Sequence, residues 1–185
     1  MKHLESFIFV VAIAILLSLG VGFQADTQEQ NPDAATAVAM VPSGIPITDN
    51  TPPCIQLYYY IEKYAADYEI PLSYAYGVAY AETHYEGPFD WKYKHSQTSC
   101  VGAVGPMQIM PATANLMWPD SSISVSRLKN DIEFNVKTSM KLLRRLRDKY
   151  GDWKLVFGAY NTGRPMVNDY AIKVYNYKPD FRKHS

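Results

Sequence analysis

Two cysteines and four histidines are all that this 185-residue chain offers for metal ligation or covalent cross-linking. That excludes a cysteine-rich scaffold, and neither residue type recurs at the spacing of a zinc site. No stretch alternates apolar and polar side chains over strand length, so a half-wet sheet has no source here. Net charge is zero, and from Cys54 onward 17 basic side chains face 13 acidic ones. This mild excess suits an anionic polymer but is too small for nucleic-acid binding. No internal repeat is visible. Disorder throughout is excluded by a 48% hydrophobic composition with fifteen tyrosines.

Only one long apolar run exists, over residues 7–23, interrupted by Ser18 and preceded by Lys2. Its length fits a signal-peptide core or a short membrane anchor, so residues 1–25 are read as a signal peptide or N-terminal anchor. Residues 26–53 are rich in small residues, scattered acids and prolines, without a hydrophobic period, and form a flexible linker. Residues 54–185 remain as one domain. The protein is therefore expected to be exported, to the periplasm or cell envelope, touching a membrane only through an uncleaved N-terminal segment. Export makes Cys54 and Cys100 a disulfide candidate, with two unpaired small apolar residues as the alternative.

The domain reads as helical throughout. Pro52 and Pro53 suit the entrance of a helix over "CIQLYYYIEKYAADYE". A second helix is expected over residues 71–85, with Tyr74, Val78, Ala81 and Tyr85 on one stripe and Gly87-Pro88 as its stop. The longest helix is expected over 131–150, with Ile132, Val136, Met140 and Leu143 inward and Lys141, Arg144, Arg145 and Lys149 outward. Asp152 can cap the following "WKLVFGAY", and a last amphipathic segment covers 167–177. The fold class is all-α, compact, with irregular loops.

Against this pattern Glu82 is misplaced. It sits near the end of a helix rich in Ala and Tyr, where the helix dipole disfavours an anion and Ala75, Ala79 and the tyrosines would desolvate it. A carboxyl in that setting holds its proton toward neutral pH, which is what a general acid requires. Taken alone, Glu82 would be a solvated helix-end residue. Downstream come "SCVGAVGPMQIMPATA", with the tight-turn glycines Gly102 and Gly105, and then "YGDWKLVFGAYNTG".

A helix ending in Glu, followed in order by these two motifs, resembles the soluble lytic transglycosylase family of lysozyme-like proteins, which cleave the glycan strands of peptidoglycan. The resemblance runs over roughly residues 54–174. It implies a lysozyme-like α domain with a glycan-binding cleft, Glu82 as the single catalytic acid and Ser99 as a cleft serine near it. It also implies that Gly105, Met107 and Gln108 line the groove, that Tyr160 and Asn161 face acid and substrate, and that Tyr170 contributes from the final helix. Two departures stand out: Thr83 replaces the usual Ser after Glu82, and Pro106 replaces Leu, a change that fits a helix N-terminus. The segment around "WKYKHSQ" is also longer than the family pattern and would alter the cleft's edge.

The implied reaction cuts the MurNAc-GlcNAc β-1,4 bond and leaves 1,6-anhydro-MurNAc ends, without metal or cofactor. The implied partner is the glycan strand, with cell-envelope or secretion-machine proteins as further partners. Two alternatives stay open: a goose-lysozyme-type muramidase that uses water, and a non-catalytic peptidoglycan-binding module. His84 and His95 are read as surface histidines, since no ligand cluster surrounds either.

Overall fold

The computed structural model describes residues 46–181. The expected signal or anchor segment and most of the expected linker lie outside these residues. Seven helices follow in order: α1 (Pro53–Asp67), α2 (Leu72–Thr83), α3 (Pro111–Met117), α4 (Val125–Asn130), α5 (Ile132–Tyr150), α6 (Trp153–Thr162) and α7 (Asp169–Tyr175). Among the described residues the only extended pairings are isolated bridges, Thr98 with Val104 and Val104 with Ile109. The all-α class of the sequence reading holds. No described helix is long and apolar enough to cross a membrane.

Each helix starts where its sequence supplies a cap or a proline. Pro53 opens α1, Asp131 accepts from the Phe134 amide at the head of α5, and Asp152 accepts from Lys154 and Leu155 at the head of α6. Asn168 does the same for Ala171 in α7. The short α4, capped by Ser124, was not anticipated. Its six residues are too few to show a hydrophobic period.

α1 buries Cys54, Leu57, Tyr58, Ile61, Tyr64 and Ala65 against α5, which answers with Ile132, Val136, Met140 and Leu143. All four of those α5 residues were read from the sequence as its apolar stripe. α2 is different. Tyr74 to Ala79 are buried without a break, so this helix has no wet face until its last turn. It runs between α1 and α7, as a helix apolar on all sides must.

α2 ends at Thr83, earlier than expected, because His84 adopts a left-handed conformation (φ 56°) and turns the chain away. Tyr85, expected as the last residue of the stripe, lies beyond the helix. It is still buried, and its hydroxyl donates to the Cys54 carbonyl at 2.7 Å.

The expected disulfide is not formed. Cys54 points into the core at the start of α1, Cys100 is exposed at the tip of a loop turn, and both are free thiols. Helix packing fixes one sulfur inside while the turn holds the other in solvent, and a disulfide tolerates only a narrow geometry.

Candidate active site

The last turn of α2 sets Glu82 against Tyr170 of α7 and near Tyr160 of α6. Glu82 remains partly exposed, yet burial of its carboxyl raises its pKa from the usual 4.5 to about 7. Two groups pull the other way: the Tyr170 hydroxyl, which donates to Glu82 Oε1 at 2.6 Å, and the charge of Lys173. Among the described residues no other carboxylate acts on it. Tyr170 and Lys173 stand one turn apart on α7, and the Lys173 ammonium lies 4.8 Å from the centre of the Tyr80 ring. Desolvation outweighs both stabilising contacts, and the result is a carboxyl half-protonated near neutrality.

Behind the acid, the loop 98–110 is pinned to α5 by one buried side chain. Asn135 accepts from the Met107 amide and donates to the Val104 and Leu128 carbonyls, all at 2.9 Å. Three of its four hydrogen-bonding valences are thus used inside the core. The close approach requires Gly105. Its φ is +79°, and a Cβ there would lie 2.4 Å from Asn135 Nδ2.

Residues 105–108 form a β-turn, closed by Gln108 N donating to the Gly105 carbonyl at 3.1 Å. Pro106 occupies the second position of this turn, where its fixed φ is favoured. The helix N-terminus expected around Pro106 is therefore a turn, and α3 begins only at Pro111.

Two carbonyls of this turn hold the neighbours of Glu82. Thr83 Oγ1 donates to the Pro106 carbonyl at 2.9 Å and is 2.8 Å from Tyr93 Oη. Tyr160 Oη donates to the Met107 carbonyl at 2.8 Å and is 2.9 Å from Ser139 Oγ. Burial holds the Tyr160 and Tyr170 phenols protonated far above their usual range, and the charge of Glu82 adds to this in both.

The structure thus brings together Glu82, Tyr160 and Tyr170, all read from the sequence. Gln108 is half-exposed on the turn, its amide donating to the Gly105 carbonyl at 2.9 Å. Asn161 is exposed beyond Tyr160, its Oδ1 held by Asn168 Nδ2 at 3.2 Å.

Three placements differ from the expectation. Met107 is fully buried and offers Tyr160 only its carbonyl, and Gly105 is buried beneath Asn135, so neither presents a surface to a groove. The Ser99 hydroxyl accepts from Ala103 N at 3.0 Å within its own turn rather than reaching the acid. His84 is exposed and His95 half-buried, where burial lowers its pKa. Among the described residues no group of three or more His, Cys, Asp or Glu side chains could hold a metal ion.

Four residues escaped the sequence reading: Asn135 and Ser139 on α5, Tyr93 in the long "WKYKHSQ" segment, and Lys173. For the first two a signal existed, since polar side chains on an otherwise apolar helix stripe need partners. Tyr93 is buried against Thr83, so the long segment is bolted to the end of α2. It also forms an open cavity of about 420 Å³ with Thr83, His84, Asp90, Lys92, Lys94 and Gln97.

The 70 kDa soluble lytic transglycosylase of Escherichia coli is 26% identical over 63% of this chain and 18% of its own length, with a TM-score of 0.49. The same protein in complex with bulgecin A gives the same values. An inactive mutant of the lytic transglycosylase Slt from Pseudomonas aeruginosa is 19% identical over 63% of this chain and 20% of its own, with a TM-score of 0.47. This chain therefore spans only a small part of the length of those proteins. No curated protein gives a match. The transglycosylase SLT domain matches residues 59–182, from α1 past α7, and the chain belongs to that family.

Proposed function

We propose that the protein is a peptidoglycan lytic transglycosylase working outside the cytoplasmic membrane, with Glu82 serving first as acid and then as base. The observation that carries this reading is the setting of Glu82: a desolvated carboxyl of pKa about 7, fixed by Tyr170 through one oxygen, with no second carboxylate among the described residues acting on it. Tyr170 donates to Oε1, which leaves Oε2 to carry the transferable proton.

In the proposed reaction Oε2–H protonates the oxygen bridging MurNAc and GlcNAc as the bond to the anomeric carbon breaks. The GlcNAc end leaves as an alcohol carrying that proton. The substrate's own acetamido oxygen steadies the electron-poor anomeric carbon, so no protein nucleophile is needed. The carboxylate, now stabilised by Tyr170 and Lys173, takes the proton from the muramoyl 6-hydroxyl. That oxygen closes on the anomeric carbon to form the 1,6-anhydro ring, and Glu82 is again protonated with no water consumed. The match to the transglycosylase SLT domain supports this activity over hydrolysis.

Product mass spectrometry on purified peptidoglycan tests the proposal, with Glu82→Gln alongside. Fragments ending in 1,6-anhydro-muramic acid, one water lighter than reducing ends, are expected from the parent and not from the variant. Reducing ends would make the protein a hydrolase, and an active Glu82→Gln would remove the assigned acid. Release by neither protein would point to a glycan-binding module.

A further inference from the structure

Ser139 lies on α5 one turn beyond Asn135 and is fully buried. It falls among Ile132, Val136, Met140 and Leu143, where a hydroxyl is costly unless bonded. The adjacent Thr138 hydroxyl donates back to the Phe134 carbonyl at 2.7 Å, the ordinary resort of a hydroxyl inside a helix. Ser139 instead reaches across to α6, 2.9 Å from Tyr160 Oη.

A phenol has a single hydrogen, and Tyr160 gives it to the Met107 carbonyl at 2.8 Å. Ser139 must then be the donor in its own bond. The Met107 peptide is itself fixed, because its N–H donates to Asn135 Oδ1 at 2.9 Å. The Tyr160 hydroxyl is held from two sides, by a donor on α5 and by an acceptor on a turn that α5 anchors.

We propose that Ser139 is a positioning residue for the acid: by donating to Tyr160 Oη it fixes the ring and commits the phenol hydrogen to Met107, so that Tyr160 has no hydrogen to give to Glu82. Tyr170 then remains the donor to the carboxyl. This role rests on the reading of Glu82 as the catalytic acid.

Ser139→Ala, Tyr160→Phe and the double variant test it, with kcat and KM measured from release of anhydro ends and Tm measured in parallel. Ser139→Ala is expected to lower kcat about five- to tenfold, the range of one neutral hydrogen bond, with KM within about twofold because Ser139 is out of reach of substrate. In the Tyr160→Phe background the same change is expected to alter kcat by less than about twofold, since its route to the acid is gone. Equal factors in both backgrounds, or a Ser139→Ala variant as fast as the parent, would overturn the role.

Should Tyr160→Phe fail to fold, Ser139→Thr keeps the hydroxyl. It restores kcat to within about threefold of the parent if the proposal holds, and a loss as large as that of alanine overturns it. An active parent with an additive cycle defeats this role alone. A parent that leaves no anhydro ends defeats the assignment of Glu82 and this role together.

Discussion

At the scale of the residue, the raised pKa of Glu82 ties both the proposed activity and the stability to pH. In the proposed reaction the acid form of Glu82 is the reactive one, so kcat/KM should fall as pH rises through about 7, with a slope of one proton. Tyr170 lowers the pKa of Glu82, so Tyr170→Phe should move that alkaline limb to higher pH while reducing kcat, because the carboxyl loses its orientation. A limb that stays in place would separate Tyr170 from the titration.

Stability runs in the same direction. Between pH 4.5 and about 7 the folded protein keeps a proton that the unfolded chain has released, so stability is lost as pH rises through this window. The loss is on the order of 3 kcal/mol above the window. Glu82→Gln should abolish that part of the pH dependence and leave the variant more stable than the parent above about pH 7, as read from denaturant midpoints.

At the scale of the element, the contact between the loop and α5 is the joint to test. Asn135→Ala would strand the Met107 amide and the Val104 and Leu128 carbonyls, and should cost about 3 kcal/mol in urea unfolding. Gly105→Ala should cost at least about 2 kcal/mol, since both the positive φ and the space are denied to a methyl group.

This joint also marks where the sequence stops being readable. The stripe Ile132, Val136, Met140 and Leu143 could be read because helix packing repeats, and the caps Asp131 and Asp152 could be read because capping is local. The end of α2 could not, since the left-handed turn at His84 has no glycine to announce it. Glu82 and Tyr160 stood out through the motifs of the family resemblance, and Tyr170 through its place in the final helix. Met107 and Gly105 lie in those motifs too, but what they supply is a buried carbonyl and the absence of a side chain. Their part in the fold depends on Asn135, some thirty residues away, and no local pattern encodes such a partner.

At the scale of the whole molecule, one thiol is locked inside and the other is open. Cys54 is 1% exposed and burial pushes its thiol pKa up, so only Cys100 should react with a thiol reagent in the native protein. Denaturation should release the second equivalent. Two thiols reacting at once without denaturant would mean that the start of α1 opens in the native state.

Aromatic rings also tie the helices around Glu82 together. Tyr74 packs against Trp153, Phe157 and Tyr175, with centroids 5.1, 5.1 and 5.7 Å away, and so ties α2 to α6 and α7. These are the three helices that carry Glu82, Tyr160 and Tyr170.

The hydroxyls behind the acid all run one way. Ser139 gives to Tyr160 and Tyr160 to the Met107 carbonyl; Thr83 commits its one hydrogen to the Pro106 carbonyl, the nearer of its two carbonyl acceptors, so Tyr93 gives to Thr83. Both chains drain into neighbouring carbonyls of a single turn, which have no hydrogen to pass on. Neither can serve as a wire from solvent to Glu82. In the proposed reaction the site then works as a closed circuit: the proton that departs with the leaving sugar is replaced by the one the muramoyl hydroxyl gives up, and the protein behind the acid is an insulator.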